Sequence, residues 1–499
     1  MTPTLHFQGQ RIAAEVFQSR YLRAASALRA AGVGEGDCVA LMLRNGPLAL
    51  EVMLAARWIG ALWCPINWHF KTDEVRYILA DSGAKVFIAD AALLAGLDDL
   101  ALSGLCALVA AQGSPQTHGR AELPNWDALR DANEPISTPA SAPRGAMFYT
   151  SGTTGRPKGI RRAAATAEQA ARGLEVLNHV LGFEPGMRAL LSAPMYHSAP
   201  NSYSIGAAQM SAELFIEERF DAERTLQLIE QHGLTHAYLV PTMYVRLLAL
   251  PEGVRRRYDL KSMRFVASTG SPCAPEIKRA MIDWWGPVIH EAYGASELGY
   301  MTRLDSHEAL RKPGSAGKAL PGVTMAILDE QGEPLPQGQA GLIYVHQPAF
   351  PDFSYIGNDA ARERIEHGGL KTMGDIGYLD EDGYLFIVDR SADLVISGGV
   401  NIYPAEIEAA LQMMPGVADC AVFGIPDAEF GEALAAAVQL DEGSSLGADN
   451  VRAFLRSRLA DYKVPRVIAF HAQLPREDTG KIFKRKLREP YWAGAARRI

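Results

Sequence analysis

MFYTSGTTGRPKG, Met147–Gly159, sets a short apolar strand directly before a loop of glycines, hydroxyl side chains and one lysine. The glycines let backbone N–H groups approach an anion closely, the hydroxyls add donors, and Lys158 adds a mobile charge. Such a loop suits phosphates that move or leave, such as a β,γ-pyrophosphate. It is not a Walker loop, which needs Gly-Lys followed by Ser or Thr at a helix start. Here Pro157 precedes Lys158 and Gly159 follows it. The other glycine-rich stretch, AGVGEGD near residue 33, precedes a strand and reads as a helix stop and turn.

Working outward, MFYT belongs to a series. ALLSA precedes PMYH, HAYLV precedes PTMY, RFVAS precedes TGSP, and PVIHE precedes AYGASE. Each is an apolar run ending in a loop of Gly, Pro, Ser, Thr or Tyr. Upstream, helical patterns (residues 12–32, LALEVMLAARWIGA, TDEVRYILADSGA) alternate with strands CVALML, LWCPI and KVFIA. This β-α-β order predicts parallel sheets, whose ligands bind at the carboxyl ends of the strands. From about Gly317 the texture turns to alternating strands, as in TMAILDEQGEPLPQGQAGLIYVHQ, which predicts a small antiparallel barrel. After Arg390 a third texture predicts a small α+β domain. The fold class is therefore α/β, with a large domain over 1–390 (barrel-like part about 317–390) and a small C-terminal domain over 391–499.

Composition sets limits. The 499 residues are too many for one ordinary core, and 48% hydrophobic with 21% charged residues describes a globular chain. A net charge of −8 argues against a nucleic-acid partner, so an anionic ligand must be held by local charge and backbone dipoles. The longest apolar region is interrupted by Glu51 and Arg57 and predicts a buried helix, not a membrane span. Cys38, Cys64, Cys106, Cys273 and Cys420 make no CxxC or metal spacing, which favours reduced thiols and a cytoplasmic address. A homodimer stays open.

Further motifs keep the loop company: AYGASELG with Tyr293, Ser296 and Glu297, LKTMGDIGYLDEDGYLFIVDR with Asp375 and Arg390, SGGVNIYPAEIE with Gly398 and Gly399, and LPREDTGKIFKRKL with Lys481. In this order, over about residues 35–488, the chain resembles the adenylate-forming superfamily of acyl-CoA synthetases, adenylation domains and luciferases. The resemblance implies an acid–CoA ligase that uses ATP, Mg²⁺ and coenzyme A. A carboxylate would attack the α-phosphate of ATP, and a thiol would then displace AMP.

It also implies roles. Thr150, Ser151, Gly152, Thr153, Thr154, Gly155 and Lys158 would hold the β,γ-phosphates, with Thr154 among the catalytic groups. Tyr293 would stack on adenine beside Gly294 and Ala295, with Thr269, Gly270, Ser271 and Pro272 on its other side. Ser296, where the family usually has Thr, would contact the α-phosphate, and Glu297 would bind Mg²⁺. Asp375 and Arg390 would hold the ribose, and Lys481 would reach the α-phosphate and the acid. His197 would gate the acyl pocket. Gly398 and Gly399 would leave room for pantetheine, while Phe430 and Tyr462 would flank the CoA adenine and Lys463 and Arg466 would meet its phosphates. The hinge would fall at Ala392, where relatives often carry Lys or Asp.

PMYHSAPNSYSIGAAQM lacks the buried Asp that an amino-acid adenylation domain of this family carries, and no extra insertion marks a carrier-protein ligase. A nucleotide-binding pseudoenzyme would have lost Lys158, Glu297, Asp375 or Lys481, yet all are present. The pocket would span His197–Ala208, Thr242–Tyr244, Ser268–Ser271, Ala292–Ala295 and Tyr300–Met301. The small residues Ala199, Ser202, Gly206, Ala207 and Ala208 there suggest room for a medium or long fatty, aryl or steroid side-chain acid.

Overall fold

The computed structural model describes residues 2–97, 108–112, 123–140, 142–150, 157–390, 393–397, 400–427, 430–476 and 482–493. The chain divides into two compact units. One holds residues 1–313, 320–323 and 346–364; the other holds 314–319, 324–345 and 365–499.

The first unit carries two parallel sheets. In the smaller, the strands run Leu62–Pro65, Cys38–Met42, Ala84–Asp90, Leu108–Gln112, all parallel neighbours. In the larger, Phe265–Ser268, His236–Tyr238, Met187–Leu191, Ser211–Ile216 and Thr4–Phe7 run parallel in that order, and Ile289–Ala295 lies parallel beyond Phe265–Ser268. Antiparallel Gly299–Leu304 then folds back on Ile289–Ala295. Strands such as Cys38–Met42 and Leu62–Pro65 are buried at every residue, as apolar runs in a sheet covered on both faces are. The core of the larger sheet includes Leu190, Tyr238, Val266 and Ile289.

Local chemistry sets the element ends. Thr166 Oγ1 accepts from Gln169 N at 3.1 Å, while Gln169 Oε1 accepts from Thr166 N at 3.2 Å, starting helix Ala167–Leu181. Gly182 stops it at φ +74°, and the Phe265 ring lies where a Cβ would stand, 2.4 Å away. Glu51 is buried in helix Pro47–Trp58, where Arg130 Nη1 meets Oε2 at 3.3 Å and Trp126 Nε1 donates to Oε1 at 3.3 Å. The charge that interrupts this apolar stretch is thus an internal anchor. Among the described residues no helix is long and apolar enough to cross a membrane, and Cys38, Cys64, Cys273 and Cys420 are buried free thiols, Cys106 lying outside those residues.

One expectation is corrected. MFYT does not continue the parallel series. Phe148–Thr150 pairs antiparallel with Lys158–Arg162, which pairs antiparallel with Phe353–Tyr355. The glycine loop therefore joins the two arms of a hairpin, because Lys158–Arg162 returns as a strand where a β-α unit would place a helix.

In the second unit, Thr324–Leu328, Gly341–His346, Leu370–Leu379, Glu366–His367 and Leu385–Arg390 make one five-stranded sheet. Its recorded pairs are antiparallel, as the alternating texture predicts. A further sheet pairs Val417–Asp427 with Gly431–Leu440 antiparallel and Gly431–Leu440 with Val467–His471 parallel. Helix Pro404–Gln412 adds Ile407 and Leu411 to its core, and helix Ala448–Arg456 adds Val451 and Leu455.

Candidate active site

The hairpin sets Thr150 opposite Lys158, so the two ends of the glycine loop are neighbours. Tyr149, behind Thr150, donates to Asp81 Oδ2 at 2.7 Å, and the Tyr77 hydroxyl donates to Pro157 O at 3.1 Å. These two phenols hold the stem of the loop against helix Thr72–Ser82. Ser151, Gly152, Thr153, Thr154 and Gly155 lie outside the described residues.

Glu297 is brought to this stem from almost 150 residues away. Thr150 Oγ1 donates to its Oε1 at 3.2 Å, and so does the Tyr355 hydroxyl at 3.2 Å. The Glu297 carboxylate raises the Tyr355 phenol pKa further after burial has already raised it. Lys158 Nζ sits 5.0 Å from the centroid of the Tyr355 ring. A lysine, two hydroxyls and a carboxylate thus surround one strand end. Tyr355 is a member that sequence reasoning missed, since SYIGND carries no glycine loop to mark it.

Ser296, next in the chain, donates to Ser198 Oγ at 2.9 Å. Ser198 opens helix Ser198–Met210, for which His197 is the N-cap. This bond joins the expected α-phosphate contact to the start of the expected acyl pocket, at the positive end of a helix dipole. The loop before that helix is shaped by two buried amides. Asn45 donates to Ala193 O at 2.8 Å and accepts from Met195 N at 2.8 Å. Asn201 donates to Met195 O at 2.8 Å and accepts from Trp63 Nε1 at 3.1 Å. The rings of Tyr196 and His197 stand 4.3 Å apart.

Tyr293, Gly294 and Ala295 end strand Ile289–Ala295. No Cβ fits at Gly294, which would meet Gly299 O at 2.7 Å. Behind them Lys278 Nζ meets Glu291 Oε2 at 2.7 Å, in a mostly buried ion pair. Burial pushes the Glu291 carboxyl pKa up and Lys278 opposes that shift. Thr269 is buried after strand Phe265–Ser268, and Gly270 turns the chain at φ +98°, a left-handed conformation that favours glycine. Ser271 is half-buried and Pro272 exposed beyond it.

The expected pocket is corrected in part. Gly206 gives no space to a ligand, because a Cβ there would lie 2.0 Å from the Phe183 ring. Ala207 and Ala208 are packed in the core. Their small size serves helix packing. What does gather here is phenols: the Tyr203 and Tyr238 rings lie tilted at 48° with centroids 5.6 Å apart, and Tyr244 and Tyr300 are buried in the same core. The hydroxyls of Tyr203 and Tyr300 are buried and find no hydrogen-bond partner among the described residues.

In the second unit, Asp375 and Arg390 are paired across adjacent strands. Arg390 Nε donates to Asp375 Oδ1 at 3.0 Å, with the carboxylate 7% and the guanidinium 54% exposed. Asp393 follows, its N–H on Arg390 O at 3.0 Å. Phe430 and Tyr462 are exposed aromatics, but the cations beside them already have acidic partners. Arg466 meets Asp427 at 2.6 Å with its guanidinium 4.8 Å from the Phe430 ring, and Lys463 meets Glu406 at 2.6 Å. Ala392, Gly398, Gly399 and Lys481 lie outside the described residues.

A divalent cation would find one carboxylate here, Glu297. Among the described residues no group of three or more His, Cys, Asp or Glu could hold a metal alone. That donor set fits Mg²⁺, which commonly takes one or two carboxylates and completes its shell with substrate phosphates and water.

Known proteins bear on this geometry. The model of the AMP-binding enzyme family matches residues 2–350, and that of the AMP-binding enzyme C-terminal domain matches residues 406–481. The chain belongs to this family of AMP-binding enzymes. It is 34% identical over 476 residues to a feruloyl-CoA synthase of Amycolatopsis sp, covering 95% of this chain and 92% of the relative. It is 30% identical over 508 residues to the fatty acid–[acyl-carrier-protein] ligase ScoC of Streptomyces coeruleorubidus, covering 100% of this chain and 95% of the relative. Among solved structures, ATP-bound MatB from Rhodopseudomonas palustris superposes with a TM-score of 0.85 at 30% identity, covering 98% of this chain and 96% of that one.

Proposed function

We propose that this enzyme is an ATP-dependent, AMP-forming carboxylic acid–CoA ligase, acting in the cytoplasm. The observation that carries the reading is the cluster of Thr150, Lys158, Glu297 and Tyr355 at one strand end, joined through Ser296 to the helix that begins at Ser198. In the first half-reaction an oxygen of the acid bonds to the α-phosphorus of ATP while the bond to the β-phosphate oxygen breaks, and pyrophosphate leaves. In the second, the CoA sulfur bonds to the acyl carbon, the bond to AMP oxygen breaks, and the thiol proton passes to solvent.

No side chain need act as nucleophile, so the chain's contribution is positioning and charge stabilisation. Thr150 and Lys158, with residues 151–155, hold the leaving pyrophosphate. Ser296 and Ser198 meet where the α-phosphate and the acid approach each other. Tyr293 stacks on adenine, and Asp375 with Arg390 holds the ribose. Mg²⁺ at Glu297 would spread the phosphate charge. Lys481 serves adenylation and Gly398 and Gly399 serve CoA transfer, with Ala392 as the hinge between the halves.

The acid we propose carries a ring. The feruloyl-CoA synthase relative supports this class. The likeness to ScoC favours a second reading for the acceptor, a carrier-protein thiol in place of CoA.

Purified protein with Mg·ATP and a panel of aryl, steroid side-chain and fatty acids, with and without CoA, tests the reading by mass spectrometry. AMP with an aryl-CoA thioester is the expected result. Adenylate that CoA cannot discharge would favour the carrier protein, and ADP in place of AMP would refute the reading.

A further inference from the structure

We infer that Arg162 is a positioning residue, a clamp that fixes the Ser296–Glu297 backbone to the strand leaving the glycine loop and so aims the Glu297 carboxylate. The inference rests on the reading of Glu297 as the carboxylate for Mg·ATP. Arg162 is the last residue of strand Lys158–Arg162, four positions after Lys158, and it is largely buried.

Its guanidinium spends its donors on backbone. Nη2 donates to Ser296 O at 3.0 Å and to Glu297 O at 2.6 Å, and Nη1 donates to Pro351 O at 2.7 Å. The Phe350 ring lies 6.0 Å from the guanidinium carbon. One side chain therefore ties together three chain segments: the hairpin of the phosphate loop, the turn bearing Ser296 and Glu297, and the segment leading to Tyr355. Tyr355 in turn donates to Glu297 Oε1. The carboxylate is thus held from two directions, its backbone by Arg162 and its side chain by Thr150 and Tyr355.

A planar fork of fixed geometry can bridge carbonyls arriving from separate segments, whereas a lysine ammonium on a flexible stem is a point donor. Groups that orient a metal ligand commonly matter about as much as the ligand itself.

The test compares the intact protein with its Arg162→Lys and Arg162→Met variants, using Mn²⁺ in place of Mg²⁺. Mn·ATP binding is read from water-proton relaxation, and metal-free ATP binding from calorimetry in chelator; neither needs turnover. Thermal melting and circular dichroism check the fold, and Arg162→Lys keeps the charge should Arg162→Met unfold. Arg162→Lys should weaken Mn·ATP binding about tenfold while metal-free ATP affinity changes less than about twofold. A lysine variant that binds Mn·ATP like the intact protein would overturn the clamp, as would equal losses with and without metal. Intact protein that binds no Mn·ATP would instead remove the reading of Glu297 on which the clamp rests.

Discussion

Replacing Lys278 with Met removes one half of a buried ion pair directly behind the adenine loop. Lys278 stands on helix Pro275–Trp285, and Glu291 stands two residues before Tyr293 on strand Ile289–Ala295. Their 2.7 Å contact leaves side-chain exposures of 5% and 12%. Such a pair adds little net stability, because desolvation offsets the attraction, but stranding one charge costs roughly 3–5 kcal/mol. Burial already pushes the Glu291 pKa up, and Lys278 is what opposes it. Without Lys278 the carboxyl pKa should rise further. A carboxyl whose folded pKa lies above its unfolded value stabilises below the unfolded value and loses that contribution as pH rises through the folded one. Lys278→Met should therefore be weaker at pH 8 than at pH 5.5. Urea melts followed by tryptophan fluorescence at both pH values measure this. The double variant Lys278→Met with Glu291→Gln should recover most of the loss, and ATP affinity should fall in the single variant and return in the double. A single variant within about 1 kcal/mol of the intact protein at pH 8, with no pH dependence, would refute the reasoning.

Lys481→Ala should abolish acyl-adenylate formation from acid and ATP while leaving thioester formation from supplied adenylate largely intact; equal loss of both halves would contradict this division of roles. Gly399→Trp should block CoA transfer more than adenylation, and stopped-flow release of AMP and pyrophosphate separates the steps, an unchanged transfer rate being the contrary result. Burial lowers the pKa of His236 to about 4 and that of His290 to about 4. A depressed folded value means that the unfolded chain binds the extra protons, so stability should be full above pH 6.5 and fall toward pH 4. His236 alone contributes roughly 3 kcal/mol to that fall, and a urea midpoint that is flat over this range would show that neither imidazole is held neutral.

The strands Met187–Leu191, His236–Tyr238, Phe265–Ser268 and Ile289–Ala295 were legible because each is an apolar run cut off by Gly, Pro or Ser. Tyr293 near the end of one of them, and Gly270, Ser296 and Glu297 in the loops that follow, are the residues that the strand-end rule points to. The direction of Phe148–Thr150 was not legible, since a three-residue strand reads alike in parallel and antiparallel sheets. Arg162, Asn45 and Asn201 escaped notice for a related reason. Each looks locally like a surface residue, and its role appears only through carbonyls that arrive from distant chain segments. Gly206 misled because a missing side chain looks the same whether it makes room for a ligand or for Phe183.

The central claim is attack by the acid on the α-phosphorus. The most direct test is turnover of an accepted acid labelled with ¹⁸O in both carboxylate oxygens, with Mg·ATP and CoA, followed by mass spectrometry of the nucleotide. The account predicts AMP carrying one ¹⁸O, because the oxygen that bridges acyl carbon and phosphorus stays with AMP when sulfur displaces it. Unlabelled AMP, or ADP with ¹⁸O in inorganic phosphate, would contradict it.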